Sequence, residues 1–173
     1  MAPEKGLHVL CDAVARMTEP VELRVAGFLP AEWREYLADL QKQYRFVYKG
    51  SPDREGKLRF LQSIDVLSVP STYDEPKGIF LLEAMANGAP VVQPRKGAYT
   101  EIIEKTGGGI LVAADDPGDL ARVLDELARD RSRLRNLAAS AVKGVQAYSI
   151  EAAAAQTLGI YGTVASHFEA ARA

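Results

Sequence analysis

Disulfides are excluded from this chain at the outset. Its single cysteine, Cys11, cannot form an intrachain bridge, which suits a reducing compartment. Histidine is almost as scarce. His8 and His167 have no partners at metal-ligand spacing and read as structural, and no Cys/His cluster indicates zinc. No G-x-x-x-x-G-K-[ST] loop marks an ATPase, and Ser71 lacks the surroundings of a nucleophile elbow. A net charge of −2 supplies no basic field for nucleic acid. No apolar run reaches the roughly 18 residues of a membrane span, and residues 1–6 lack a signal-peptide pattern. The expected location is cytoplasmic, at most peripheral to a membrane.

What remains is the composition of a globular domain. The 173 residues are 47% hydrophobic and 25% charged, enough for one core. Residues 1–173 therefore read as one domain. Short runs rich in Val, Ile and Leu, at 21–26, 46–48, 66–69, 90–93 and 109–112, predict strands. Helical patterns lie between and after them, at 7–17, 31–43, 56–63, 79–87, 100–105, 117–129, 131–148 and 150–170. This alternation predicts an α/β fold: a Rossmann-like parallel sheet flanked by helices on both faces. Asp116 before Pro117 reads as a helix cap, and Gly88 as a helix stop followed by Pro90. Gly107-Gly108-Gly109 marks a place where backbone must pass close to something.

In such sheets ligands bind beyond the carboxyl ends of the strands. The loops at 27–30, 71–78 and 95–98 occupy that end. Within 71–88, Glu75 and Glu83 stand eight positions apart across a helix start at Gly78-Ile79. Free N–H groups there make an anion site; equally, Gly78 serves a tight turn. Lys77 is a phosphate contact or a solvated lysine. Glu83 sits in an otherwise apolar helix, and a buried carboxylate needs a partner. It accepts hydrogen bonds from ligand hydroxyls, or it lies on a wet strip, or it pairs with a nearby lysine. Lys5 before the first helix opposes the dipole unless an anion is present. Arg95-Lys96-Gly97-Ala98 is a phosphate clamp or a solvated turn. Two carboxylates also allow glycoside hydrolysis, but that reading leaves the helix start unexplained.

An ordered series of segments then carries a resemblance. Pro3-Glu4-Lys5-Gly6-Leu7, Leu23-Arg24-Val25-Ala26-Gly27 and Phe46-Val47-Tyr48-Lys49-Gly50 come first. Ile64-Asp65-Val66-Leu67-Ser68-Val69-Pro70-Ser71 follows, and Glu75 through Glu83 forms an E-x7-E signature continuing to Gly88. Pro90-Val91-Val92, Gly97, Glu101-Ile102-Ile103, Gly109-Ile110-Leu111-Val112 and Asp116-Pro117 complete it. The chain resembles the C-terminal, donor-binding domain of a GT-B glycosyltransferase of the large retaining group often called family 4, the glycosyl transferases group 1.

The resemblance implies roles. Lys5 would contact the donor diphosphate and stabilise the leaving group. Glu75 would face the donor sugar; these two are the implied catalytic residues. Glu83 would bind the ribose hydroxyls, and Gly50 and Ser51 would lie near the base. Backbone around Lys77, Gly78 and Ile79 would bind sugar or phosphate. The ligand would be a nucleotide diphosphate sugar, its base (UDP, GDP or ADP) unresolved, with no metal and no cofactor.

Departures from the family pattern add expectations. The family's strand ending in Gly-Arg does not precede Lys5 here, so a gap is expected in the middle of the sheet. A partner N-terminal acceptor domain is likewise not represented, so this chain alone is expected to be inactive. Residues 148–173 would form a helix packing toward that domain. Self-association through the gap or this helix follows as a further expectation. Gly27-Phe28-Leu29-Pro30 replaces the common G-D-G-P, and Lys77 stands where Phe is common. The alternative is a non-catalytic nucleotide-binding or interaction module of the same ancestry.

Overall fold

The computed structural model describes residues 2–170, with side chains described through His167. Residues 171–173 of the predicted C-terminal helical segment lie outside the described residues.

After a 3-10 turn (Pro3–Lys5), α1 (Leu7–Arg16) leads to β1 (Arg24–Val25). A second 3-10 turn and α2 (Arg34–Gln43) return the chain to β2 (Val47–Tyr48). Then come α3 (Arg54–Gln62), α4 (Ile79–Ala86), β3 (Val91–Pro94), α5 (Ala98–Thr106) and β4 (Gly109–Val112). Three helices close the order: α6 (Pro117–Arg129), α7 (Arg131–Gly144) and α8 (Ile150–Ala170). The boundaries have the anticipated causes. Asp116 accepts from Gly118 and Asp119 N–H at 2.8 and 3.1 Å and starts α6. The three-glycine loop passes against α7 and β3: a Cβ on Gly108 would lie 2.5 Å from Ala141 Cα, and one on Gly109 2.5 Å from the Val91 carbonyl oxygen.

All pairing is parallel, as predicted, but the sheet is split. β1 pairs with β2 and β3 with β4, in two separate two-stranded sheets. Segment 66–69, predicted as a full strand, makes only a single bridge, Leu67 to Val91. The physical reason lies in Gln93, fully buried, whose side-chain Oε1 takes the Val69 N–H at 3.1 Å in place of a backbone acceptor. The 21–26 run shortens likewise to two residues, with Val21 46% exposed at its open end.

The expected break is therefore present, between β1 and segment 66–69. The carbonyls of Leu23 and Val25 accept from β2, and both polar groups of Leu67 bond toward β3. Strand alternation then turns Arg24, Ala26, Val66 and Ser68 toward the break. A cavity of about 460 Å³ lies there, walled by Leu10 and Val14 of α1 and by Phe60 of α3. Unpaired backbone groups exchange with solvent readily. Amide hydrogen exchange should find Arg24, Ala26, Val66 and Ser68 at least about 100-fold faster than Val92 of β3. Equal protection would mean that another chain closes the break in solution.

Among the described residues the core forms three clusters. Leu81, Ala84 and Met85 of α4 pack with Val91, Tyr99, Ile102 and Ala141; full burial of a Leu or Met side chain is worth about 1.5–3 kcal/mol. Val92, Val112, Leu120, Val123 and Leu127 form the second cluster. Leu7, Cys11, Val25, Leu37, Leu40 and Phe46 form the third, across the break. α8 leaves this body with Ile150, Leu158 and Tyr161 at 80, 70 and 67% exposure. Its apolar surface is open to solvent.

Candidate functional site

Lys5 owes its place to the residue after it. Gly6 adopts φ +73°, and its Cα lies so close to loop 70–72 that an added Cβ would stand 1.9 Å from the Pro70 carbonyl oxygen. The Thr72 N–H donates to the Glu4 carbonyl at 2.9 Å and fastens the N-terminal turn to the same loop. Glu75 is fixed from the other side. Ala98 N–H donates to its carbonyl at 2.9 Å, and Gly97, at φ +49°, sits where a Cβ would come 2.6 Å from that oxygen.

These two anchors bring opposite charges together. Lys5 Nζ donates to Glu75 Oε2 at 2.8 Å, Tyr73 OH donates to the same oxygen at 2.6 Å, and Lys5 also meets the Tyr73 hydroxyl. Gly78 N–H points at Glu75 Oε1 from 3.5 Å, so the start of α4 faces a carboxylate of this chain. Burial pushes the Glu75 carboxyl up, but hydrogen bonds from Lys5 and Tyr73 outweigh it and hold the pKa down at about 2. Burial likewise opposes the Lys5 ammonium, and its bonds to Glu75 and Tyr73 together lift its pKa above the ordinary value.

Glu83 projects from α4 and pairs with Lys57 of α3, Nζ to Oε1 2.6 Å, both side chains being part-exposed. The bare alternative in the sequence, a lysine partner, is thus what the structure contains. The expectation that α4 is buried all round is corrected. Leu81, Ala84 and Met85 are buried, but Ile79 is 56% exposed at the first turn.

A cavity of about 550 Å³ opens beyond the ends of β1 and segment 66–69. Lys5, Phe28, Ser51, Lys57, Phe80 and Glu83 line it. It gathers a cation from the N-terminus, a hydroxyl after β2 and an acid from α4. Of the other expected residues, Glu75 stands behind Lys5 and Gly50 precedes Ser51, its carbonyl accepting from Gly27 N–H at 2.8 Å. Lys77 and Ile79 are exposed and Gly78 is buried; these three are not on the cavity wall. Arg95 and Lys96 are held by Glu104 and Asp115, at 2.8 and 2.9 Å, and Lys96 is only 18% exposed, so it is not a solvated turn residue. His8 bonds Tyr36 OH at 3.2 Å and lies away from the cavity. Among the described residues no group of His, Cys, Asp or Glu is placed to hold a metal ion, and no helix is long and apolar enough to cross a membrane.

Three residues at the site carried no sequence signal. Lys57 is 26 positions from Glu83, and nothing in the spacing of Tyr73 or Phe80 points to Lys5. Only the meeting of α3, loop 71–78 and the N-terminal turn reveals them.

Fold and site together define a parallel α/β domain with a pocket beyond the strand ends, where Lys5 and Lys57 stand paired with Glu75 and Glu83. The chain belongs to the glycosyl transferases group 1 family, whose profile matches residues 1–144. It is 33% identical over 168 residues to a phosphatidyl-myo-inositol mannosyltransferase of Mycobacterium leprae, covering 95% of this chain and 44% of that protein. Anabaena HepE, solved with UDP and glucose, superposes with a TM-score of 0.81 at 24% identity, over 96% of this chain and 46% of that one. Sucrose-phosphate synthase of Thermosynechococcus elongatus gives 0.83 at 27% identity, over 96% and 44%. A solved C-terminal domain of a group 1 family protein from Francisella tularensis gives 0.76 at 22% identity, over 87% of this chain and 83% of that domain. The neighbours establish a GT-B glycosyltransferase fold. The chain spans less than half the length of the curated relatives it matches, 44% and 45% for two of them.

Proposed function

We propose that this chain is the nucleotide-sugar-binding part of a retaining glycosyltransferase that moves a hexose to a hydroxyl acceptor. The observation that carries the reading is one cavity bordered by Lys5, Ser51 and Glu83, with Glu75 held ionised behind Lys5. The named activities of the relatives, a mannosyltransferase and a sucrose-phosphate synthase, and the UDP and glucose in HepE, support this ligand class.

In this reading Lys5 lies against the diphosphate. The bond between the sugar C1 and the diphosphate oxygen breaks, its electron pair stays on the diphosphate, and the ammonium stabilises that charge. The acceptor oxygen bonds C1 on the face the diphosphate leaves, and its proton passes to the departing diphosphate oxygen. Glu75 faces the sugar, and Glu83 exchanges Lys57 for the ribose hydroxyls. Gly50 and Ser51 flank the base, and backbone at Lys77, Gly78 and Ile79 receives sugar or phosphate. Charge neutralisation falls to lysine and N–H groups, with no metal. The acceptor site belongs to an N-terminal partner domain, so this chain by itself binds donor without transferring sugar.

Calorimetric titration with UDP, GDP and ADP, on the wild-type chain and Glu83→Ala, tests the reading. One nucleotide should bind selectively, and the variant should lose about tenfold or more in affinity through the missing charged hydrogen bonds. Absence of binding to a folded wild-type chain would favour a non-catalytic interaction module instead.

A further inference from the structure

Tyr73 does not line the cavity, yet it touches both charged groups beside it. Its hydroxyl donates to Glu75 Oε2 at 2.6 Å and meets Lys5 Nζ. Its ring lies 4.8 Å from the same ammonium, with Phe80 at 5.6 Å. A lysine ammonium is a compact charge on a flexible stem and takes its position from whatever surrounds it. Glu75 alone would draw it off the cavity wall. The Tyr73 hydroxyl, accepting from the ammonium, adds a second anchor at a fixed place, and by donating to the carboxylate it satisfies part of that acid's acceptor capacity. The residue is therefore shared between the two partners of the ion pair rather than packed against one.

We propose that Tyr73 is the positioning residue of this site: its hydroxyl accepts from the Lys5 ammonium and holds it at the cavity wall, and it donates to Glu75 and orients that carboxylate. The consequence for nucleotide affinity rests on the donor-binding reading above; the hold on the ion pair does not. A purely space-filling role predicts no change when only the hydroxyl is removed.

The test uses the full chain with Tyr73→Phe, Tyr73→Leu and, as a control, Tyr44→Phe, whose hydroxyl bonds Asp12 away from the cavity. Carboxyl-carbon NMR of 13C-glutamate-labelled protein follows Glu75, assigned by its disappearance in Glu75→Gln. In Tyr73→Phe the Glu75 midpoint should rise by about one pH unit, the worth of one charged hydrogen bond, and in Tyr44→Phe it should stay. Titration with UDP, GDP and ADP should show affinity reduced about threefold to tenfold in Tyr73→Phe, and at least as much in Tyr73→Leu, which loses the same hydroxyl together with the packing of the ring. The phenylalanine variant keeps the ring and its packing, so circular dichroism should show it folded even if Tyr73→Leu is not. An unmoved Glu75 midpoint in folded Tyr73→Phe overturns the proposal. If no nucleotide binds the wild-type chain, the donor reading fails, and the midpoint alone decides whether Tyr73 holds the pair.

Discussion

Gly6→Ala should unfold a large part of the population or shift the denaturation midpoint sharply. Two costs combine at that position. The backbone is left-handed at φ +73°, which costs a residue with a Cβ about 1–2 kcal/mol. The new methyl would also lie 1.9 Å from the Pro70 carbonyl oxygen, a backbone atom that can yield only if loop 70–72 moves. We expect a loss of at least about 3 kcal/mol in urea unfolding, with nucleotide binding lost alongside, because Lys5 rides on the displaced turn. Gly159→Ala is the control. Its added Cβ would meet nothing within 4 Å, on the exposed helix α8, and helix propensity makes it neutral or stabilising by up to about 1 kcal/mol. A Gly6→Ala chain within about 1 kcal/mol of wild type would show that the N-terminal turn is not seated on this loop.

The second large effect belongs to Glu75 and to acid. Its folded-state pKa, about 2, lies below the ordinary glutamate value of 4.5. The native state thus binds fewer protons than the unfolded state across that interval. The stability it contributes is complete above about pH 4.5 and is lost as pH falls through about 2. The gap corresponds to about 3 kcal/mol, and the side chain is only 10% exposed, so little is screened away. Glu75→Gln should flatten the stability profile in this window. At neutral pH it should cost about 2 kcal/mol, less than for a fully buried pair because Lys5 is 38% exposed and recovers some hydration. Lys5 contributes with the opposite sense: its raised pKa gives stability that is present below its unfolded value and fades only as pH rises through the folded one. Superimposable acid-unfolding curves for wild type and Glu75→Gln would refute the assignment.

Much of this architecture was readable from local chemistry. Asp116-Pro117 announced the start of α6, and Gly88-Ala89-Pro90 the end of α4, because capping depends on neighbours a few residues away. The helix positions follow from periodicity and survive in the structure with small end shifts. The strands were less legible. Segment 66–69 has a strand's composition but lacks a strand's partners on one side, and a buried glutamine side chain supplies part of the ladder on the other. Strand identity is a property of pairing, and pairing is not written in a single run of residues.

The site divides along the same line. The sequence by itself determined a parallel α/β domain, the glycine-bounded helix that carries Glu83, and the series of motifs that places the chain in its family. The tertiary structure alone decided that Glu75 and Lys5, 70 positions apart, form one ion pair under Tyr73, that Lys57 holds Glu83, and that the sheet opens between β1 and segment 66–69. The physical reason is range. Caps, turns and periodicity act within one or two helical turns, whereas the charge state and position of a buried acid depend on whichever groups folding brings within a few ångströms.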